Sequence, residues 1–140
     1  MTADGVRAAM VNRRPSGLAT LLGMETSLVE HGRVVFTFET SEQLANPFGT
    51  VHGGILATVL DSAMGMAALT AVPDGAATTT VALEVKYVRP VALDAGRLRA
   101  EGVVVHAGRR VVTADGRLFT ADDRLVATAT TTCLVIEPAA

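Results

Sequence analysis

Residues 46–71 read NPFGTVHGGILATVLDSAMGMAALTA: a turn-forming Asn-Pro, a His-Gly-Gly junction, then an apolar run of helical length. The run from Ile55 to about Ala71 predicts one long helix, opened by Gly53 and Gly54. Between Gly54 and Ala71 the only polar side chains are Thr58, Asp61, Ser62 and Thr70. Such a helix is expected to be enclosed by protein on most sides. The remainder of the chain supplies strands to enclose it. Val34, Phe36 and Phe38 alternate along Arg33–Thr40, which pairs with Gly23–Glu30 through the His31-Gly32 turn as a hairpin. Four β-branched runs follow the helix, Thr78–Val88, Gly96–His106, Arg110–Thr120 and Leu125–Ile136, separated by turn-forming residues. About six strands around a single helix give an α+β fold, an antiparallel sheet wrapped on one long helix. Residues 1–22 are expected to form a short N-terminal helix, a break at Pro15-Ser16-Gly17 and a second apolar turn, with 1–16 as a helical flap on a single domain spanning 1–140.

The chemistry is concentrated at the start of that helix. A helix N-terminus presents backbone N–H groups without internal partners, and the dipole adds partial positive charge there. Glycine at 53 and 54 lets a substrate oxygen approach those groups closely, as an oxyanion forming from a carbonyl would need. Asp61 is isolated in an apolar segment, an unfavourable setting for a carboxylate that lacks partners or a wet cleft. It follows Gly53 by eight positions, roughly 12 Å of helical rise. One helix therefore cannot bring its own N-terminal amides and this carboxylate to one small carbonyl. Either Asp61 serves another purpose, or one site draws on two copies of the chain.

Composition narrows the function classes. The net charge is −2, with one Tyr, four Phe and no Trp, so neither the charge nor the stacking surface of a nucleic-acid protein is present. Cys133 is the only cysteine, and no His or Cys has metal-ligand spacing, so no metal site or disulfide framework is expected. The apolar run carries Asp61 near its centre, which argues against a membrane span. No basic-then-apolar leader opens the sequence, and a cytoplasmic location is expected.

These residues carry a resemblance. N-P-x-G-x-x-H-G-G, then Asp61, then a strand ending in Tyr87-x-Arg89-Pro90, is similar to the hotdog-fold acyl-CoA thioesterases of the phenylacetic acid degradation (PaaI) type, from about Gly17 to Ile136. The resemblance implies a homodimer with active sites shared between subunits, commonly paired again as a dimer of dimers, acting on acyl-CoA without a cofactor. It implies that Asn46 and the Gly53 N–H polarise the thioester carbonyl, and that Asp61 of the other subunit acts as base or nucleophile. A strand hydroxyl would orient the water; Thr80 is placed there, with Thr79 as the fallback. His52 belongs to the motif, either in proton transfer or in ordering the loop before Gly53. Gly54 and Phe48 are expected beside the substrate, and Arg89, Arg109 and Arg110 near the CoA phosphates. Thioester hydrolysis of an aryl-CoA or medium-chain acyl-CoA is the leading reading. One alternative is an enoyl-CoA hydratase or 3-hydroxyacyl dehydratase of this fold, whose D-x-N-P-x-H pattern is missed here, since Leu44 takes the Asp position. The other is a non-catalytic acyl-CoA-binding module, which has no need of Asp61.

Overall fold

The computed structural model describes Asp4, Gly5 and residues 17–138. The flap expected over residues 1–16 lies, apart from Asp4 and Gly5, outside the described residues. Helix α1 (Gly17–Leu22) leads into strands β1 (Glu25–Glu30) and β2 (Arg33–Glu39). A 3-10 turn (Glu42–Leu44) and the loop through Asn46 then reach helix α2 (Gly53–Thr70). Strands β3 (Ala77–Tyr87), β4 (Arg97–Ala107), β5 (Val111–Phe119) and β6 (Leu125–Ile136) complete the described residues. The sheet has six strands in the order β1-β2-β4-β5-β6-β3, each neighbouring pair antiparallel. This is the sheet wrapped on one helix that the periodicities imply.

The β1–β2 hairpin turns on Gly32, whose φ of 75° suits a residue without Cβ. Its N–H donates to Thr70 Oγ1 at 2.6 Å, tying the hairpin to the far end of α2. On the inner face, Val34, Phe36 and Phe38 of β2, Leu98 and Ala100 of β4, and Val112, Ala114 and Leu118 of β5 form one buried core with α2. The helix reaches the sheet most closely over two glycines. A Cβ on Gly102 would overlap the Ala63 carbonyl, and one on Gly116 would lie 2.9 Å from Met64 Sδ.

The helix is less enclosed than its composition suggests. Leu56, Val59, Leu60, Ala63, Met64, Ala67 and Ala68 are buried, but Ala57, Thr58, Asp61, Ser62, Gly65 and Met66 form a half-buried stripe. The sheet covers one side of a helix, and nothing among the described residues covers this stripe fully. By length and composition α2 could also cross a membrane; its buried face packed on the sheet identifies it as the core helix of this fold.

β3 lies at the edge of the sheet, with β6 as its neighbour among the described residues. It is long, and Val81 and Tyr87 on it are 59% and 51% exposed. Such an edge invites pairing with another strand unless it is covered.

Alanine at Gly102 is expected to destabilise the protein by about 3 kcal/mol or more, because the obstacle is helix backbone. Alanine at Gly116 should cost about 1 kcal/mol, since the Met64 thioether can yield. Urea denaturation midpoints of the two variants check the order; equal losses would contradict it.

Candidate active site

The loop before α2 is built around Asn46. Its Oδ1 accepts from the Phe48 N–H at 2.9 Å and the Thr50 N–H at 3.1 Å. Both oxygen lone-pair directions are thereby committed to amides, which fixes the orientation of the side-chain amide. Nδ2 donates to Thr50 Oγ1 at 2.8 Å, and its second hydrogen has no partner among the described residues. Backbone bridges Ala45 to Val51 and Thr50 to Ala92 hold the loop beside the segment that follows β3.

His52 is the N-cap of α2, and its Nδ1 accepts from the Gly54 N–H at 2.9 Å. In that tautomer Nε2 carries the proton. The ring thus orders the helix start, and the Gly54 amide expected to face a substrate is already engaged by the cap. The Gly53 N–H has no partner among the described residues. Directly beside it lies a residue whose role the sequence did not disclose. Tyr87, the last residue of β3, donates its hydroxyl to Gly53 O at 2.6 Å. A Cβ at Gly53 would come within 3.1 Å of Tyr87 Cζ. Glycine at 53 is what allows the ring to lie over the first turn. Together with Leu56, Asn46, Gly53 and Tyr87 border a cavity of about 360 Å³ that also touches Arg89 and Pro90.

Asp61 stands elsewhere. Thr80 donates to Asp61 Oδ1 at 2.8 Å, and Cys133 Sγ lies 4.0 Å behind the Thr80 hydroxyl. The second cavity, about 200 Å³, is bordered by Asp61, Ser62, Gly65, Met66, Leu69 and Thr80. Strand alternation decides between the threonines. Thr80 pairs with buried Cys133 on the inner face, whereas Thr79 pairs with Leu134 and faces outward, so Thr79 does not reach the carboxylate. The two cavities share no bordering residue. Within one chain, the amide donors and the carboxylate are therefore parts of separate clefts.

The other expected residues scatter. Phe48 is 91% exposed at the loop tip and borders neither cavity. Met64 and Ala68 of α2 are fully buried in the core and reach neither cavity. Arg89 borders the Asn46 cavity while its Nε donates to Leu125 O at 2.8 Å. The Asp122 carboxyl nearby is held below the usual carboxylate range first by the Thr120 hydroxyl, and also by the Arg124 and Arg89 charges. Arg109 and Arg110 sit at the β4–β5 turn, in a third cleft with Leu134, Val135 and Glu137. That cleft is at the Ala77 end of β3, since Ala77 pairs with Ile136.

Residues 48–127 match the family model described as the thioesterase superfamily, a span that includes Gly53, Asp61, Thr80 and Tyr87. A Halobacterium salinarum protein named as an esterase is 36% identical over 71% of this chain and 67% of its own length. The 1,4-dihydroxy-2-naphthoyl-CoA hydrolase of Listeria monocytogenes is 25% identical over 79% of this chain and 88% of its own. The structure of the Escherichia coli PaaI protein, from the phenylacetic acid degradation operon, superimposes with a TM-score of 0.86 over 97% of this chain and 94% of that one. At 24% identity that likeness is one of fold. With a family match across more than half of its length, taking in α2 and β3, this chain belongs to the thioesterase superfamily and is a thioester hydrolase of the hotdog fold.

Proposed function

We propose that the protein hydrolyses acyl-CoA thioesters, of aryl or medium-chain acyl groups, at a site completed by two copies of the chain. The observation that carries this reading is the disposition of the two clefts along β3. Asp61 and Thr80 stand near its beginning, and Gly53 and Tyr87 at its end. Two β3 edges pairing antiparallel about a two-fold axis would set the beginning of each strand beside the end of the other. The carboxylate of one copy would then face the amide donors of its partner. The same pairing would satisfy the exposed edge. A thioester carbonyl placed there would accept from the Gly53 N–H and the free hydrogen of Asn46 Nδ2. The partner's carboxylate would take a proton from water as its oxygen attacks the carbonyl carbon. The tetrahedral oxyanion then collapses, the C–S bond breaks and the CoA thiolate leaves.

Thr80 holds Oδ1 of the carboxylate and leaves Oδ2 to the water, so its duty is to aim the base. His52 acts as the cap of α2, its Nδ1 holding the Gly54 N–H. Arg89 at one end of the joined strands and Arg109 and Arg110 at the other are the cations available to the CoA phosphates. The reaction requires no cofactor, and a cytoplasmic location suits a CoA substrate. The CoA-hydrolase name of the Listeria relative supports this substrate class. A second copy of the dimer joining it as a tetramer is part of the same reading.

Release of free thiol from a panel of acyl-CoAs tests the activity. Asp61→Asn should lower kcat by about 10²–10⁴-fold with the fold intact; full activity would remove the carboxylate from the mechanism. Mixing unfolded Asp61→Asn and Asn46→Ala chains and refolding them together should restore about a quarter of wild-type sites, by random pairing in a two-fold dimer. No recovery despite demonstrated mixing would mean that each site lies within one chain. For Tyr87→Phe the expectation is a kcat reduced about 2–10-fold with the unfolding midpoint nearly unchanged, the loss of one orienting hydrogen bond. An unaltered kcat would show that the hydroxyl does not orient the helix start.

A further inference from the structure

Glycines in this fold divide by what surrounds them. Gly102 and Gly116 leave no room for a Cβ against α2, and Gly53 is held under the Tyr87 ring. Gly65 is different. It lies in the interior of α2, where glycine destabilises a helix relative to alanine. Yet a Cβ built on it meets no atom within 4 Å, so packing within the described residues does not require a glycine there. It also borders the Asp61 cavity, one helical turn beyond the carboxylate. An unfavoured residue, facing open space, beside a reactive group, is explained when the space itself is used.

We infer that Gly65 is the residue that sets how large an acyl group the enzyme accepts, its missing side chain leaving the acyl end of the substrate room along α2. This rests on the thioesterase reading of the Asp61 cleft. From Asp61 the cavity runs past Ser62, Gly65 and Met66 to Leu69, with Ala77 across from them. Beyond Asp61 no charged side chain borders it, and Ser62, Thr78 and Thr80 add hydroxyls, which suits an uncharged acyl group. Its volume is about 200 Å³. A cavity of about 150 Å³ holds benzene, so one ring or a short chain fits beside the carboxylate. A side chain on Gly65 would project into that space and shorten it. Met66, unbranched and adaptable, can adjust around different acyl shapes, whereas a backbone position without a side chain cannot be moved aside or filled by rotation.

The test is a profile of kcat/KM over straight-chain acyl-CoAs of increasing length, with benzoyl- and phenylacetyl-CoA, for the wild type, Gly65→Ala and Gly65→Leu. Leucine is a good helix former and adds bulk without β-branching. The ratio of kcat/KM for the shortest to the bulkiest accepted substrate should rise about 10–200-fold in Gly65→Leu. Gly65→Ala should move it in the same direction by less, and should melt no lower than the wild type. A profile that keeps its shape in both variants, with an active wild type, overturns the role of Gly65 and leaves the functional reading standing. Uniform loss on every substrate, accompanied by a lower sedimentation mass, also overturns it, because the space would then belong to a second copy of the chain. A wild type that releases no thiol from any acyl-CoA overturns both.

Discussion

The position of α2 depends on its close approach to the sheet over Gly102 and Gly116. With no side chains at those points, the backbone at Ala63 and the Met64 side chain settle directly onto β4 and β5. The burial of Leu56, Leu60, Met64 and Ala68 beneath the helix follows from that approach. Small residues facing a helix permit short separations and dense packing, and density is what makes the arrangement rigid. Rigidity here serves placement. Once the middle of α2 is set, its N-terminus must fall under Tyr87 and its Asp61 beside Thr80.

β3 is consequently tied to α2 at two points by side-chain hydrogen bonds, Thr80 to Asp61 and Tyr87 to Gly53 O. Each tie orients a group that the proposed chemistry would use, the carboxylate at one end and the first helical turn at the other. Among the described residues the same strand has a neighbour on one side only. The edge that is exposed in a single chain is thus the edge that carries both orienting residues. Pairing between copies would link the order of the strand, and hence the order of the two clefts, to assembly. Stability and activity would then share one surface, a common reason for a long apolar edge to persist in a folded protein.

Much of this was legible beforehand, and particular residues explain why. Period-two alternation at Val34, Phe36 and Phe38, and the unbroken apolar run after Gly54, are local patterns, so strands and helix were found within a residue or two. The isolation of Asp61 in an apolar run pointed to a cleft, and the helical rise from Gly53 showed that one helix cannot bring its own amides and this carboxylate to one carbonyl. Other details rest on contacts that the periodicities do not show. The Gly54 amide reads as open to a ligand until His52 is seen to cap it. Thr79 and Thr80 are equivalent as letters, and strand pairing with Leu134 and Cys133 separates them. Tyr87 reads as a motif residue, and its hydroxyl on Gly53 required the strand to return across the helix start.

The amino-acid sequence by itself determined the element types, the single helix inside a sheet, the loop that opens that helix and the identity of the one carboxylate within it. These are consequences of periodicity, turn chemistry and the cost of an isolated charge, all of which act over a few residues. Tertiary structure alone decided which face of α2 stays uncovered, which glycine of α2 lacks a packing partner and which hydroxyl meets Asp61. Those outcomes depend on the order in which the strands lie against the helix, β1-β2-β4-β5-β6-β3. Contacts between residues far apart along the chain set that order, and no local pattern encodes them.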